Sequence, residues 1–318
     1  MPKLLFSRLK KLATAPSKGG SGASHQTPRP VPKNYQNTAV VLALAFLALR
    51  MIILSNQAYP LYGDEAQYWA WGQDLDWGYF SKPPLIAWLI RLSTEILGNT
   101  EFGVRFFAPV LHFITQILIF VVARRQYGAA TGLAASLIYG VMPGVAVSGM
   151  VMSTDAPLIM FWALSLYFLQ NVFASQDRAK SDKRAWPKNR IISVVGLGLA
   201  LAFGMLSKYF MAVILLPIAL TLVIMAVNKT NRQKIWRIAG DIGIALVLAA
   251  MLFAPNIWWN YQHAWVSVHH TGANAGVING FLHVDSAGEF LLSQLAVFGP
   301  VAFLLLILIF WLYRHIFV

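Results

Sequence analysis

The chain has 318 residues, of which 58% are hydrophobic and only 12% charged, with a formal net charge of +13 and no cysteine. Soluble domains carry roughly 25% charged residues, so the composition excludes a soluble globular domain and describes an integral membrane protein. Without thiols there is no disulfide framework and no thiolate metal site. The positive charge implies no nucleic acid, because most Lys and Arg sit in segments flanking apolar runs, where the positive-inside rule places them.

In chain order, residues 1–36 are basic and rich in Ser, Gly and Pro, with too little apolar content to pack; they read as a disordered cytoplasmic tail. Within it, MPKLLFSRLKKLATA would form a short basic amphipathic helix on anionic lipid. Residues 37–318 form the transmembrane domain. The expected fold class is all-α, a polytopic membrane protein of about eight transmembrane helices with interfacial helices in the first outer loop. Spans of about 20 residues fall near 38–56, 102–123, 128–150, 156–174, 191–207, 209–227, 238–257 and 291–313. With the N-terminus in the cytoplasm the basic clusters lie inside, and the turns at 57–101, 151–155, 208 and 258–290 lie outside.

The first outer turn carries a polar island, YGDEAQYWAWGQDLDWGYFSKPP, from Tyr62 to Pro84. Charge gathered at a span end points to function, because a bilayer makes stray charge expensive. Asp64 and Glu65 open an interfacial helix, EAQYWAWGQ, where acids also favour the helix dipole. Asp74 and Asp76 cap turns or face water. Tyr68, Trp69, Trp71, Trp77, Tyr79 and Phe80 suit the headgroup layer, with stacking on a sugar or prenyl chain as the alternative. Lys82 precedes Pro83-Pro84, which start the next helix; it either binds a lipid phosphate as a point charge or snorkels to the headgroups. LIAWLIRLSTEILG reads as an amphipathic interfacial helix with Arg91 and Glu95 paired four apart. Glu101 and Arg105 share that spacing, so Arg105 is half of a structural pair or a phosphate ligand.

Further on, MVMSTDAPLIM puts Asp155 between two apolar spans, with Ser153 or Thr154 as the helix cap and Pro157 in the first turn. Asp155 is an N-cap or, like Asp64, a functional acid at the outer face. Lys208, in MLSKYF, interrupts an apolar run where one span turns back; it is a boundary marker or a second phosphate contact. The segment NIWWNYQHAWVSVHHTGANAGVINGFLHVDSAGEF holds His263, His269, His270 and His283. The His-His pair with Asp285 invites a zinc site, although the spacing matches no template. Its Gly/Asn/Ala-rich middle reads as a mobile loop able to close over a substrate.

Taken together, GDEAQYWAW, LDWGYFSKPPLIAW, EFGVRFFAPV, ARRQYG, STDAPL, LSKYF and NIWWNYQHAWVSVHH resemble the GT-C superfamily of membrane glycosyltransferases, which take sugars from polyprenyl phosphates. The resemblance covers roughly residues 38–313 and is to bacterial members of the family-39/83 type, protein O-mannosyltransferases and lipid A aminoarabinose transferases. It implies a multi-pass protein of the bacterial inner membrane with a periplasmic site. The family's first-loop acid falls on Asp64 with Glu65 beside it, its Lys-Pro motif on Lys82-Pro83, its second acid on Asp155 and its Thr/Ser-Lys position on Lys208. The implied catalytic set is Asp64, Asp155 and Glu65; the substrate-binding set is Lys82, Arg105, Lys208, Tyr79 and His263. Relatives carry additional spans and often a soluble outer domain beyond the point matching RHIFV.

The implied partners are a polyprenyl-phosphate sugar donor, a glycolipid, glycan or protein acceptor, and the bilayer. Direct displacement at the anomeric carbon needs a base for the acceptor hydroxyl and positive charge for the departing phosphate. No P-loop or dinucleotide fingerprint is present. A divalent metal bridging Asp64 and Asp155 is the one cofactor the acids leave open. The alternatives are a transporter or lipid flippase, which would place charge within spans and show repeated halves, and a non-catalytic truncated homologue.

Overall fold

The computed structural model describes residues 33–56, 59–178, 185–227, 232–274 and 285–313, and every regular element among them is helical. Helix α1 (Lys33–Asn56) starts inside the stretch assigned to the tail, so residues 33–36 are helical. The rest of that tail, with its amphipathic segment, lies outside the described residues.

The island folds as α2 (Gly63–Gln73), an extended loop and α3 (Leu85–Leu97). Pro84 occupies the N-cap of α3, and Ile86, Ala87, Ile90, Ser93 and Thr94 turn its inner face toward the protein. Arg91 and Glu95 pair on the opposite side, as the spacing predicts. Helix α4 (Glu101–Arg105), capped by the Thr100 side chain on Gly103 N at 3.1 Å, leads into α5 (Phe107–Tyr127), and the two form one span. Then come α6 (Ala129–Val141), α7 (Pro143–Ser148), α8 (Asp155–Arg178) and α9 (Ala185–Ser207). A 3-10 turn (Tyr209–Ile214) opens α10 (Leu215–Val227). Helix α11 (Arg232–Gln262), α12 (Val266–Asn274), α13 (Asp285–Phe298) and α14 (Pro300–Tyr313) complete the chain.

Six helices among the described residues are long and apolar enough to cross a bilayer. They correspond to six of the eight expected spans; the other two are broken. At 128–150 the helix stops at Val141 because Met142, held extended before Pro143, cannot continue it, and α7 starts afresh from the proline. At 291–313, α13 and α14 meet at a 115° bend. Gly299 adopts φ +80° there and Pro300 supplies no N–H, so the helical ladder ends and restarts.

Two buried clusters order the bundle. The first joins α8, α9, α11 and the 3-10 turn through Val172, Leu197, Leu201, Met211, Ile214 and Ile238. The second, through Tyr68, Ile86, Ile90, Val104, Leu111 and Met152, seats α2 and α3 on the head of α5 and the start of α8. The second cluster positions the polar island over the ends of the spans.

Candidate active site

The site is built around one buried ion pair. Glu65 is fully buried, and the Arg105 guanidinium grips it through Nε to Oε1 at 2.9 Å and Nη2 to Oε2 at 2.7 Å. Arg105 also donates to the Tyr59 and Pro60 carbonyls at 3.1 Å each. Glu65 further accepts from Tyr62 N at 3.1 Å, helix-start chemistry, and from Met152 N at 2.9 Å. Every strong donor and acceptor of the pair is thus satisfied within the protein. The pairing with Glu101 expected from spacing does not form; Arg105 binds an acid on α2 instead, and its guanidinium is not left for a phosphate. The pair staples the entry to α2 onto the loop before α8, bringing Asp64 and Asp155 to one place.

Asp64 and Asp155 line one open cavity of about 770 Å³, with Tyr62, Tyr68, Ser148 and Ser153 among the other walls. Tyr68 lies one turn along α2 from Asp64 and donates to its Oδ2 at 3.4 Å. Burial, then the Asp64 carboxylate and its hydrogen bond, then the charge of Asp155 all push the Tyr68 hydroxyl well above the usual tyrosine range. Both acids are therefore felt at one phenol. Tyr68 is 3% exposed, which corrects its assignment to the headgroup belt; Trp77 and Phe80 do remain exposed.

On the far side of Asp155, Lys208 Nζ donates to Oδ1 at 2.7 Å, with both side chains partly exposed. The cation that interrupts the apolar run thus answers the acid at the head of α8. Next to it, the Tyr209 hydroxyl reaches Asn256 Oδ1 at 3.3 Å and accepts from Asn260 Nδ2 at 3.1 Å. Asn256 Nδ2 donates to the Trp77 carbonyl at 2.6 Å, so α11 is tied to the island loop.

Tyr79 is buried, stacked on Trp71 at 4.8 Å. Its hydroxyl bonds the carbonyls of Trp71 and Asp74 at 3.0 Å and receives Asp76 N at 3.1 Å. It is the knot of the island loop, and its ring is not free to stack on a sugar. Asp76 accepts from Trp77 N at 2.7 Å and from Trp259 Nε1 at 2.5 Å. His263 stacks on Trp259 at 4.0 Å, and its Nδ1 lies 2.8 Å from the Trp259 carbonyl. A carbonyl only accepts, so Nδ1 carries a proton, and the ring is exposed.

Lys82 is half-buried in the same loop, its carbonyl bonded by Tyr79 N at 3.1 Å. Among the described residues no carboxylate pairs with its ammonium. It does not line the cavity of Asp64 and Asp155.

Among the described residues no three His, Asp or Glu side chains converge to hold a metal. Asp155 Oδ1 holds Lys208. Of the Gly/Asn/Ala-rich stretch read as a mobile loop, Gly272, Ala273 and Asn274 are helical, and the remainder lies outside the described residues together with His283.

The sequence reading overlooked Tyr68 as a site residue, although its spacing of four from Asp64 on a helix was a usable signal. It also overlooked Tyr209, next to Lys208, and Asn256 and Asn260, whose spacing of four on α11 is the same signal.

The pattern of the family described as dolichyl-phosphate-mannose-protein mannosyltransferase matches residues 81–259, more than half of the chain. The chain is 33% identical to lipid A galacturonosyltransferase RgtD of Rhizobium johnstonii, over 84% of this chain and 52% of the relative. It is 30% identical to the undecaprenyl phosphate-alpha-4-amino-4-deoxy-L-arabinose arabinosyl transferase of Pseudomonas aeruginosa, over 68% of this chain and 39% of the relative. Crystal structures of ArnT from Cupriavidus metallidurans, apo and bound to undecaprenyl phosphate, superpose with a TM-score of 0.60 at 20% identity. They cover 84% of this chain and 49% of that one, a likeness of fold. The chain thus spans about half the length, or less, of the curated relatives it matches. Since the matched stretch runs from Ser81 to Trp259 and takes in Lys82, Asp155 and Lys208, the chain belongs to the dolichyl-phosphate-mannose-protein mannosyltransferase family.

Proposed function

We propose that the chain is the membrane-embedded, catalytic-site-bearing region of a glycosyltransferase. It moves a sugar from a polyprenyl-phosphate donor to a glycolipid of the lipid A class, at the outer face of the bacterial inner membrane. The single observation that carries this reading is one open cavity holding both Asp64 and Asp155, with Lys208 on Asp155. The names of the relatives, lipid A galacturonosyl and aminoarabinosyl transferases, support the class of donor and acceptor.

In this reading the acceptor hydroxyl oxygen attacks the anomeric carbon as the bond from that carbon to the phosphate oxygen breaks. The electron pair leaves with the phosphate, and the hydroxyl proton passes to Asp64. One displacement inverts the anomeric centre. Tyr68 holds one carboxylate oxygen of Asp64, whose side chain lines the cavity. Lys208, held on Asp155, supplies the positive charge for the departing phosphate, and Lys82, which does not line this cavity, has no part in the step. The Lys208–Asp155 pair fixes the opposite wall and lends its remaining N–H donors to the sugar or phosphate. Glu65 and Arg105 build the site and do not touch the reacting atoms.

The test is transfer from an undecaprenyl-phosphate sugar to lipid A by the purified full-length protein. Asp64→Asn is expected to lower the rate by roughly 10²- to 10⁴-fold, the scale of general base catalysis, without loss of donor binding. A wild-type rate in Asp64→Asn removes the base from the mechanism. No transfer by the unaltered protein with any lipid-phosphate sugar removes the function.

A further inference from the structure

A second polar cluster lies behind the cavity and plays no part in the mechanism above. His112, on α5 and fully buried, places Nδ1 2.6 Å from the Tyr139 hydroxyl of α6 and Nε2 2.9 Å from Ser148 Oγ at the end of α7. Arg50 of α1 closes the rear, donating to the Gly140 carbonyl at 3.2 Å. Ser148 lines the same cavity as Asp64 and Asp155.

The serine is held from another helix. Several helical hydroxyls here bond back to their own helix, Thr94 to Ile90 O at 2.9 Å, Thr115 to Leu111 O at 2.8 Å, Ser193 to Asn189 O and Ser207 to Phe203 O at 2.7 Å, whereas Ser267 reaches the Tyr79 carbonyl and the Ser136 and Ser165 hydroxyls have no partner among the described residues. Bonding back is the default for Ser and Thr in helices, since the i−4 carbonyl is always within reach. Among the described residues Ser148 makes no such bond. The imidazole, itself fixed by Tyr139, holds its hydroxyl instead. A hydroxyl has one donor and two acceptor sites, and His112 engages only one of them. The remaining capacity stays at the wall of a cavity whose other polar walls include the two acids.

We propose that Ser148 is a sugar-hydroxyl contact in this cavity, and that His112, clamped by Tyr139, is the positioning residue that aims it. The inference rests on the glycosyltransferase reading and adds to it a specificity element on the α7 side, opposite α2. The hydroxyl recognised belongs either to the donor sugar or to the acceptor sugar; the chemistry is the same and the test separates them.

The experiment measures binding to the purified full-length protein of three probes: undecaprenyl phosphate, undecaprenyl phosphate-4-amino-4-deoxy-L-arabinose and lipid A. One hydrogen bond corresponds to roughly a three- to tenfold change in affinity. Ser148→Ala is expected to weaken one sugar-bearing probe by that factor while leaving undecaprenyl phosphate unchanged. A weakened donor places the contact on the donor sugar, and a weakened lipid A places it on the acceptor. His112→Asn puts an amide where Nδ1 stood, and keeps Tyr139 while losing Ser148; it is expected to reproduce the effect. His112→Gln puts the amide where Nε2 stood and is expected to retain wild-type affinity. Unchanged binding of all three probes to Ser148→Ala overturns the inference and leaves the glycosyltransferase reading standing. Equal weakening of all three, undecaprenyl phosphate included, also overturns it, as a structural effect. If the unaltered protein binds none of the probes, the glycosyltransferase reading falls and this inference falls with it.

Discussion

Asp64 and Glu65 are neighbours in sequence whose side chains sit in opposite environments, and the difference decides what each does. Glu65 has no exposure and is spent on Arg105, Tyr62 and Met152. Removing one partner of a buried pair strands the other charge, at a cost of roughly 3–5 kcal/mol. Glu65→Ala is therefore expected to lower the thermal midpoint of the detergent-solubilised protein sharply, with Glu65→Ala/Arg105→Met recovering part of the loss. Asp64→Asn, at an exposed position, is expected to leave that midpoint within the small range of surface substitutions. If the two variants destabilise alike, the division between a structural and a catalytic acid is wrong. Tyr68 adds a pH signature. Its folded-state pKa is raised by burial and by Asp64, so below the unfolded value of about 10 both states hold the proton and it adds no pH dependence. Above that value the unfolded chain ionises first, so stability falls as pH rises. Alkaline titration of tyrosinate absorbance is expected to show Tyr68→Phe lacking one late-titrating group and losing less stability above pH 10 than the wild type. In the sequence, the acids and lysines of the site were legible because charge at a span end is conspicuous. The partner of Arg105 was not, since a spacing of four pointed to Glu101 and the real contact reaches back 40 positions to Glu65.

At the scale of elements, the island loop is fastened to α11 by close approach. A methyl group on Gly78 would stand 2.4 Å from the Trp259 ring, well inside contact distance. Gly78→Ala must move that indole, and with it the bond from Nε1 to Asp76 and the stack with His263. Overpacking of this kind costs about 1–3 kcal/mol. The expected outcome is altered tryptophan fluorescence and faster proteolysis between residues 74 and 84, with α11 intact. An unchanged spectrum and cleavage rate would show that the loop is not anchored there. The helices themselves were largely legible: α2 and α3 follow from the acid start and from Pro84, and the six intact spans follow from apolar length. The breaks were not. Hydropathy sums over residues and cannot register that Pro143 and the Gly299-Pro300 step interrupt the ladder, so two continuous spans were expected where the chain bends. The break at Pro143 matters for the site, because it turns Ser148 and Val147 toward the cavity wall.

For the whole molecule, the direct contacts put the acids, Lys82 and Lys208 at one end of the bundle. Met152 meets Glu65, Lys208 meets Asp155 and Trp259 meets Asp76 across three different spans. The basic pair Arg124 and Arg125 closes the opposite end of α5. A donor phosphate made available outside the membrane is of use only if the acidic end faces outward, the orientation expected from the basic clusters. The chain contains no cysteine, so a single introduced thiol reports its own side without background. Gln73→Cys, exposed at the last position of α2, is expected to react with a membrane-impermeant maleimide in spheroplasts. Tyr127→Cys, 75% exposed at the turn between α5 and α6, is expected to react only after permeabilisation or in inverted vesicles. The reverse pattern would place Asp64 in the cytoplasm. The cavity would then face a pool of nucleotide-activated sugars, and a site built from two acids and the lysine held on one of them would have no reason to be selective for a lipid-linked one.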